Sequence, residues 1–111
     1  MKKYIAEALG TGTLALVVGL SLSGDFPVST PVLAALVLGL FVYSVGHVSG
    51  THINPAVTIG LWSIEKINTT EAGKYIIAQL LGAGAAMLLL QNLMMGETMM
   101  IGGDFSTGLA E

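Results

Sequence analysis

The chain is 111 residues long, 53% hydrophobic and only 10% charged, with a mean hydropathy of +0.80, which limits it to one domain and excludes an ordinary water-soluble core. A formal charge of −3 with only four Lys/Arg residues argues against nucleic-acid binding and polybasic lipid recognition, both of which need clustered cations. The absence of cysteine excludes disulfides and thiolate metal sites, and two histidines without a supporting carboxylate cluster make a poor metal site, so no metal or cofactor is expected.

Tyr4 to Ser23 carries a single charge, Glu7. About twenty helical residues at a rise of 1.5 Å cross a hydrocarbon core of roughly 30 Å, so residues 4–23 are predicted as a first span. The Lys2-Lys3 start has the look of a secretory signal, but the apolar run lacks a clean cleavage cassette and a second span follows; an uncleaved helix is the better reading. Ser23-Gly24-Asp25-Phe26-Pro27 reads as a turn, and Pro27 and Pro31 hold off the next helix until about position 31. An uncharged second span is predicted over 32–47. It stops at Gly46 to Thr51, where two glycines, Ser49 and Thr51 lower helix propensity.

An irregular loop over 48–54 then meets a helix start. Asn54 is a favoured N-cap and Pro55 suits the first helical position, where its missing N–H costs nothing. The helix predicted over 55–64 is about 15 Å long, half a membrane thickness, and cannot span alone. After Asn68-Thr69-Thr70-Glu71, where Thr69 or Thr70 can cap and Glu71 complements the helix dipole, an apolar third span is predicted over 72–95. Gly73, Gly82, Gly84 and the alanines around them give this span a small-residue face suited to close helix contact. The tail, 96–111, reads as an extramembrane connector. The fold class is therefore all-α membrane protein, a single domain of three transmembrane helices and one re-entrant half-helix.

With the amino terminus in the cytoplasm, Lys2, Lys3, Lys66 and Lys74 all fall on the cytoplasmic side, and Asp25, Glu97, Asp104 and Glu111 outside. Lys/Arg bias sets topology, so this orientation is expected, in the cell (inner) membrane, with the loop dipping in from the cytoplasm. The half-helix then points its amino end, with unbonded N–H groups and about half a positive charge, at the bilayer midplane. Left in lipid that end is costly. Two such ends meeting at the midplane would bury each other and raise an electrostatic barrier to cations on a water path.

Gly46-His47-Val48-Ser49-Gly50-Thr51-His52-Ile53-Asn54-Pro55-Ala56-Val57-Thr58 resembles the first signature loop of the major intrinsic protein (aquaporin and aquaglyceroporin) family. Ala6-Glu7-Ala8-Leu9-Gly10-Thr11 resembles its first-helix start, and Tyr75-Ile76-Ile77-Ala78-Gln79-Leu80-Leu81-Gly82-Ala83 its third helix. The motifs occur in order over nearly the whole chain. That family is built of two inverted halves, each with three spans and a half-helix, and the resemblance covers the amino-terminal half only. A split gene, a partial sequence and a true half-channel all fit.

The resemblance implies roles for particular residues. Asn54 would offer its side-chain NH2 to a passing water or hydroxyl while its carbonyl oxygen caps the half-helix; a plain N-cap is the alternative. Pro55 and Ala56 would pack where two half-helices meet. Gly50, Thr51, His52 and Ile53 would present backbone carbonyls along the cytoplasmic half of the path. His52 is expected to steady the loop, and His47 either edges the vestibule or bonds a neighbouring backbone. Glu7 would accept bonds from the loop backbone, and Gln79 would do the same from the third span; the alternative for Glu7 is snorkelling to the interface. Ala34 stands where the family usually places an aromatic at its narrowest point. Val57 stands where the second signature loop, not the first, carries a filter arginine, so the implied constriction is wide and uncharged.

The expected function is a passive channel component for water or small neutral solutes such as glycerol, completed by a second aquaporin-like half or an inverted copy of the chain, and open to higher oligomers. The alternative is a non-conducting truncated or assembly subunit. A broken-helix transporter fragment shares the geometry but lacks a coupling-ion carboxylate near Asn54. Enzyme function is not expected, because no nucleophile–base grouping, paired carboxylates or phosphate-cradling loop appears in a usable context.

Overall fold

The computed structural model describes the backbone of residues 1–110 and the side chains of 1–96. Four helices follow one another: α1 (Lys2–Leu22), α2 (Thr30–Ser49), α3 (Pro55–Ser63) and α4 (Thr69–Ala110), with no strand among the described residues. Lys2–Leu22, Thr30–Ser49 and Thr69–Gly96 are long and apolar enough to cross a membrane, with mean hydropathies of 1.7, 2.0 and 1.6. The nine residues of α3 reach only about 14 Å at 1.5 Å per residue.

Local chemistry sets most of the boundaries. Pro31 lies in the first turn of α2, where a missing N–H is tolerated. Gly50, at φ 84°, closes α2 in the left-handed conformation and donates its N–H to the Gly46 carbonyl at 2.8 Å. Asn54 caps α3 through Oδ1, which accepts the Ala56 N–H at 2.9 Å. At the far end of α3, Glu65 takes the left-handed place usually given to glycine, with φ 62°. The Lys66 N–H reaches back to the Leu61 carbonyl at 2.9 Å and the Glu65 N–H to Trp62 at 3.0 Å, the paired bonds of a Schellman closure.

Two expectations change here. The cap of α4 is Asn68 rather than Thr69 or Thr70: its Oδ1 accepts the Glu71 N–H at 2.8 Å. Thr69 is instead engaged by the Trp62 indole N–H at 3.0 Å. The backbone of 96–110, read as a connector, continues α4 as helix, and no proline interrupts it. The side chains of Glu97, Asp104 and Glu111, expected outside the membrane, lie outside the described residues.

α1 is the central element, packing against α2 on one side and α4 on the other, while α3 packs on α4. The amino ends of α1 and α4 lie side by side. Lys3 Nζ sits 2.9 Å from a Glu71 oxygen, the Tyr4 hydroxyl donates to the same carboxylate, and the Tyr4 and Tyr75 rings meet edge to face at 5.8 Å. At the other end of α1, Ser21 is hydrogen-bonded to Thr30 at the start of α2.

The α1–α4 crossing depends on Gly82. A Cβ there would overlap the carbonyl oxygen of Ala8, and one at Gly12 would stand 2.9 Å from the Gly82 carbonyl oxygen. The obstacle in each case is backbone, which cannot step aside. Gly84, one turn-fraction away, has nothing within 4 Å of its would-be Cβ. Gly82→Ala is therefore expected to destabilise the fold by about 1–3 kcal/mol through overpacking, and Gly84→Ala to be neutral or stabilising by up to about 1 kcal/mol through helix propensity. Thermal unfolding of the two purified variants in the same detergent checks the contrast; equal stability would remove Gly82 as the cause of the close crossing.

Candidate functional site

The site is the loop from Gly50 to Asn54 with the elements that hold it. Three of its first four residues lie in the left-handed region: Gly50 at φ 84°, Thr51 at 52° and Ile53 at 39°. For β-branched residues such as Thr51 and Ile53 this region is strained, at about 1–3 kcal/mol each, and such conformations persist only where the surroundings over-determine them.

Glu7 supplies most of that constraint. It is fully buried on α1, and each carboxylate oxygen accepts two hydrogen bonds. Oε1 takes the Ser49 hydroxyl at 2.7 Å and the His52 N–H at 3.0 Å; Oε2 takes the Ile53 N–H at 2.7 Å and the Gln79 side-chain NH2 at 2.9 Å. One side chain thus joins α1, the end of α2, the loop and α4. It does not snorkel. Around it, the Thr51 N–H bonds to Ser49 Oγ at 3.0 Å, the Thr51 hydroxyl to the Phe41 carbonyl at 3.2 Å, and the Tyr75 hydroxyl to the Ser49 carbonyl at 2.7 Å.

Packing fixes the depth of the loop. Ile53 is 1% exposed and lies against Gly10, where a Cβ would collide with its side chain. Gly10 is eight residues into α1, about 12 Å along a helix of about 30 Å, so the loop tip stands near the middle of the span. Asn54 is there at the start of α3, exposed, its carbonyl oxygen accepting the Val57 N–H at 3.1 Å and the Thr58 N–H at 3.2 Å. Because Oδ1 is committed to the Ala56 N–H, the amide orientation is set and the NH2 faces away from the helix with no partner among the described residues. The carbonyls of Gly50, Thr51, His52 and Ile53 likewise accept no bond from the described chain.

His52 is buried, its ring 4.7 Å from that of Tyr75 and its Nδ1 2.9 Å from Thr58 Oγ1. Thr58 is also fully buried and accepts from the Gln79 NH2 at 2.9 Å. Gln79 therefore meets Glu7 and Thr58 rather than the loop backbone, a correction to the expectation that it would accept bonds from the loop as Glu7 does. A side-chain NH2 between two oxygens can only donate. Its own Oε1 is buried without a partner among the described residues.

Pro55 is half-buried, and Ala56 and Val57 are exposed beside Asn54. His47 is exposed on the last turn of α2, outside the Glu7 network. Ala34 lies near the start of α2, which does not touch α3, so it is not brought to the loop within this chain. Sequence reasoning passed over Ser49, Thr58 and Tyr75 as site residues. Their signal was present only as small polar or phenolic residues within apolar stretches.

A family model, "Major intrinsic protein", matches residues 1–110. The chain belongs to the major intrinsic protein family. Its members are channels for water or small solutes, and this chain corresponds to the amino-terminal half of their fold. It is 35% identical over 116 aligned positions to Aquaporin Z of Rhodopseudomonas palustris, covering 97% of this chain and 47% of that protein. Against Nodulin-26 of Glycine max identity is 37% over 116 positions, covering 97% of this chain and 42% of that one. A shorter match to Aquaporin AqpM of Methanothermobacter marburgensis reaches 64% over 42 residues, 38% of this chain and 17% of the relative. The chain spans about half the length, or less, of these curated relatives. Membership and the apolar helices make it an integral membrane protein.

Glu7→Gln tests the clamp without changing side-chain size. The new NH2 must face a pair of donors, leaving buried groups unsatisfied at about 1–3 kcal/mol each. The expected loss is about 2–5 kcal/mol, read as a lowered unfolding temperature of the purified chain; a variant as stable as the parent would contradict the four-bond arrangement.

Proposed function

We propose that this chain forms half of a passive transmembrane channel for water or small neutral solutes such as glycerol, completed by a second half that presents an opposing half-helix. The observation that carries this reading is the amino end of α3. It stands near the middle of the span with Asn54, Ala56 and Val57 exposed, a positive helix end and an oriented amide NH2 facing outward at a depth where lipid would satisfy neither. Each helix end keeps its own Asn54 cap; an opposed copy of the same motif would cover the Pro55–Ala56 tip and take it out of lipid, leaving the two amides, with the open carbonyls of residues 50–53, as hydrogen-bonding partners along a path. His47 would lie at the mouth of that path. The two facing helix ends then repel cations.

Selectivity follows from what lines the path. Val57 beside Asn54 brings neither charge nor an aromatic ring to the path, and Ala34, apart from it near the start of α2, adds only a methyl group, so this half contributes a wide, neutral wall. A paired half with an arginine and aromatics would narrow it; a second copy of this chain would not. The lysines favour a single orientation with the amino terminus in the cytoplasm, since Lys2, Lys3, Lys66 and Lys74 lie in or beside the adjoining ends of α1, α3 and α4. That preference favours a separate second half over an inverted homodimer, which needs both orientations in one membrane.

A second reading, a non-conducting assembly subunit, draws on α2. Apart from its contact with α1 this helix is largely uncovered, with Tyr43 94% exposed, a surface that packing against another subunit would cover.

Two measurements separate these readings. Mapping the termini in cells is expected to give one orientation; a mixed population would reinstate the inverted homodimer. In stopped-flow shrinkage, vesicles carrying the chain with its second half should be permeable several-fold above empty vesicles, and Asn54→Ala, which loses both donor and cap, should abolish most of the gain. Permeability no higher than empty vesicles from a verified folded assembly would favour the non-conducting subunit.

A further inference from the structure

Thr58 stands at the junction of three polar groups. Its Oγ1 is 2.9 Å from the Gln79 NH2, 2.9 Å from His52 Nδ1 and 3.5 Å from the Asn54 carbonyl oxygen. A hydroxyl has one proton to give. The Gln79 nitrogen also donates to Glu7, so it is the amide's donor end that faces Thr58, and Thr58 must accept there. Its own proton has two destinations. The Asn54 carbonyl already accepts the N–H groups of Val57 and Thr58 at 3.1 and 3.2 Å, and at 3.5 Å it is at the limit of a useful bond. His52 Nδ1, at 2.9 Å, is the better acceptor, and accepting requires that it carry no hydrogen.

We propose that Gln79 and Thr58 act as positioning residues that fix the tautomer of His52, keeping Nδ1 bare and the proton on Nε2. The chain of donors runs one way, from the Gln79 amide through the Thr58 hydroxyl into the imidazole, and the Glu7 carboxylate anchors its start. The Tyr75 ring fixes the plane of the imidazole. Nε2 then faces the Gly50 end of the loop, where a Cβ on Gly50 would stand 3.5 Å from it, and it meets no acceptor among the described residues. The loop thus carries, beside its open carbonyls and the Asn54 amide, a further fixed N–H donor suited to an oxygen acceptor: water, or the hydroxyl of a small neutral solute. That last step rests on the channel reading; the tautomer itself does not.

The test is nitrogen NMR of the histidine-labelled chain in lipid bilayers at neutral pH, with His47→Gln used to assign the two rings. His52 is expected to show a bare Nδ1 and a protonated Nε2. Thr58→Val, nearly the same size but without the hydroxyl, should move the ring toward the other tautomer or a mixture, and Thr58→Ser should restore the original spectrum. A wild-type His52 protonated on Nδ1 overturns the proposal whatever the variants do, as does an unchanged tautomer in a folded Thr58→Val chain. Since no solute flux is measured, failure here leaves the channel reading standing, and a non-conducting chain leaves the tautomer standing.

Discussion

The structure depends on one carboxylate. An irregular backbone at the middle of a membrane span has no water to satisfy its N–H groups, and each one left bare costs several kcal/mol. Glu7 meets that demand from α1, collecting the His52 and Ile53 N–H groups, the Ser49 hydroxyl and the Gln79 amide. A charge in that position would itself be prohibitive if unpaired, yet four donors surround it, two to each oxygen. The loop and the acid thus solve each other's problem, and neither is stable without the other.

What the clamp secures is geometry for the rest of the site. Thr51 and Ile53 are held in left-handed conformations that a free loop would abandon, and Ile53 is locked into the notch at Gly10. With those residues fixed, Asn54 is delivered to mid-span in the extended conformation of an N-cap, and α3 can run back to the side from which the loop entered. The Schellman closure at Glu65 and the Asn68 cap then turn the chain directly into α4, whose close crossing with α1 at Gly82 brings Gln79 onto Glu7. The network therefore closes on itself: α4 can support the loop only because the glycine lets it approach.

Much of this is legible in the sequence because it rests on local rules. Hydropathy and length mark the spans, Asn54-Pro55 marks a helix start, and the distance to Glu65-Lys66 shows that the helix is too short to cross. Glu7 stands out in the sequence as the one charge within an otherwise apolar first span, and it accepts the His52 and Ile53 N–H groups. Other features turn on tertiary geometry. Asn68, Thr69 and Thr70 all have side chains that can cap, and the choice shows only in the fold, where Asn68 takes the Glu71 N–H and Thr69 is engaged by the Trp62 indole. Positive φ at Thr51 and Ile53 runs against residue preference, so nothing local announces it. Gln79 as a donor to Glu7 and Thr58, rather than a partner of the loop backbone, depends on the depth at which α4 crosses α1. The helical backbone beyond residue 96 was hidden by glycines, which lower helix propensity without forbidding helix.

The central claim is that Glu7 holds the loop, and amide hydrogen exchange read at single residues tests it most directly. In the parent chain in lipid, the His52 and Ile53 amides should exchange as slowly as amides in the interior of α1. In a folded Glu7→Gln chain those two should become fast by orders of magnitude, while the α1 and α4 interiors remain protected. Loop amides that stay equally protected in the variant would contradict the account.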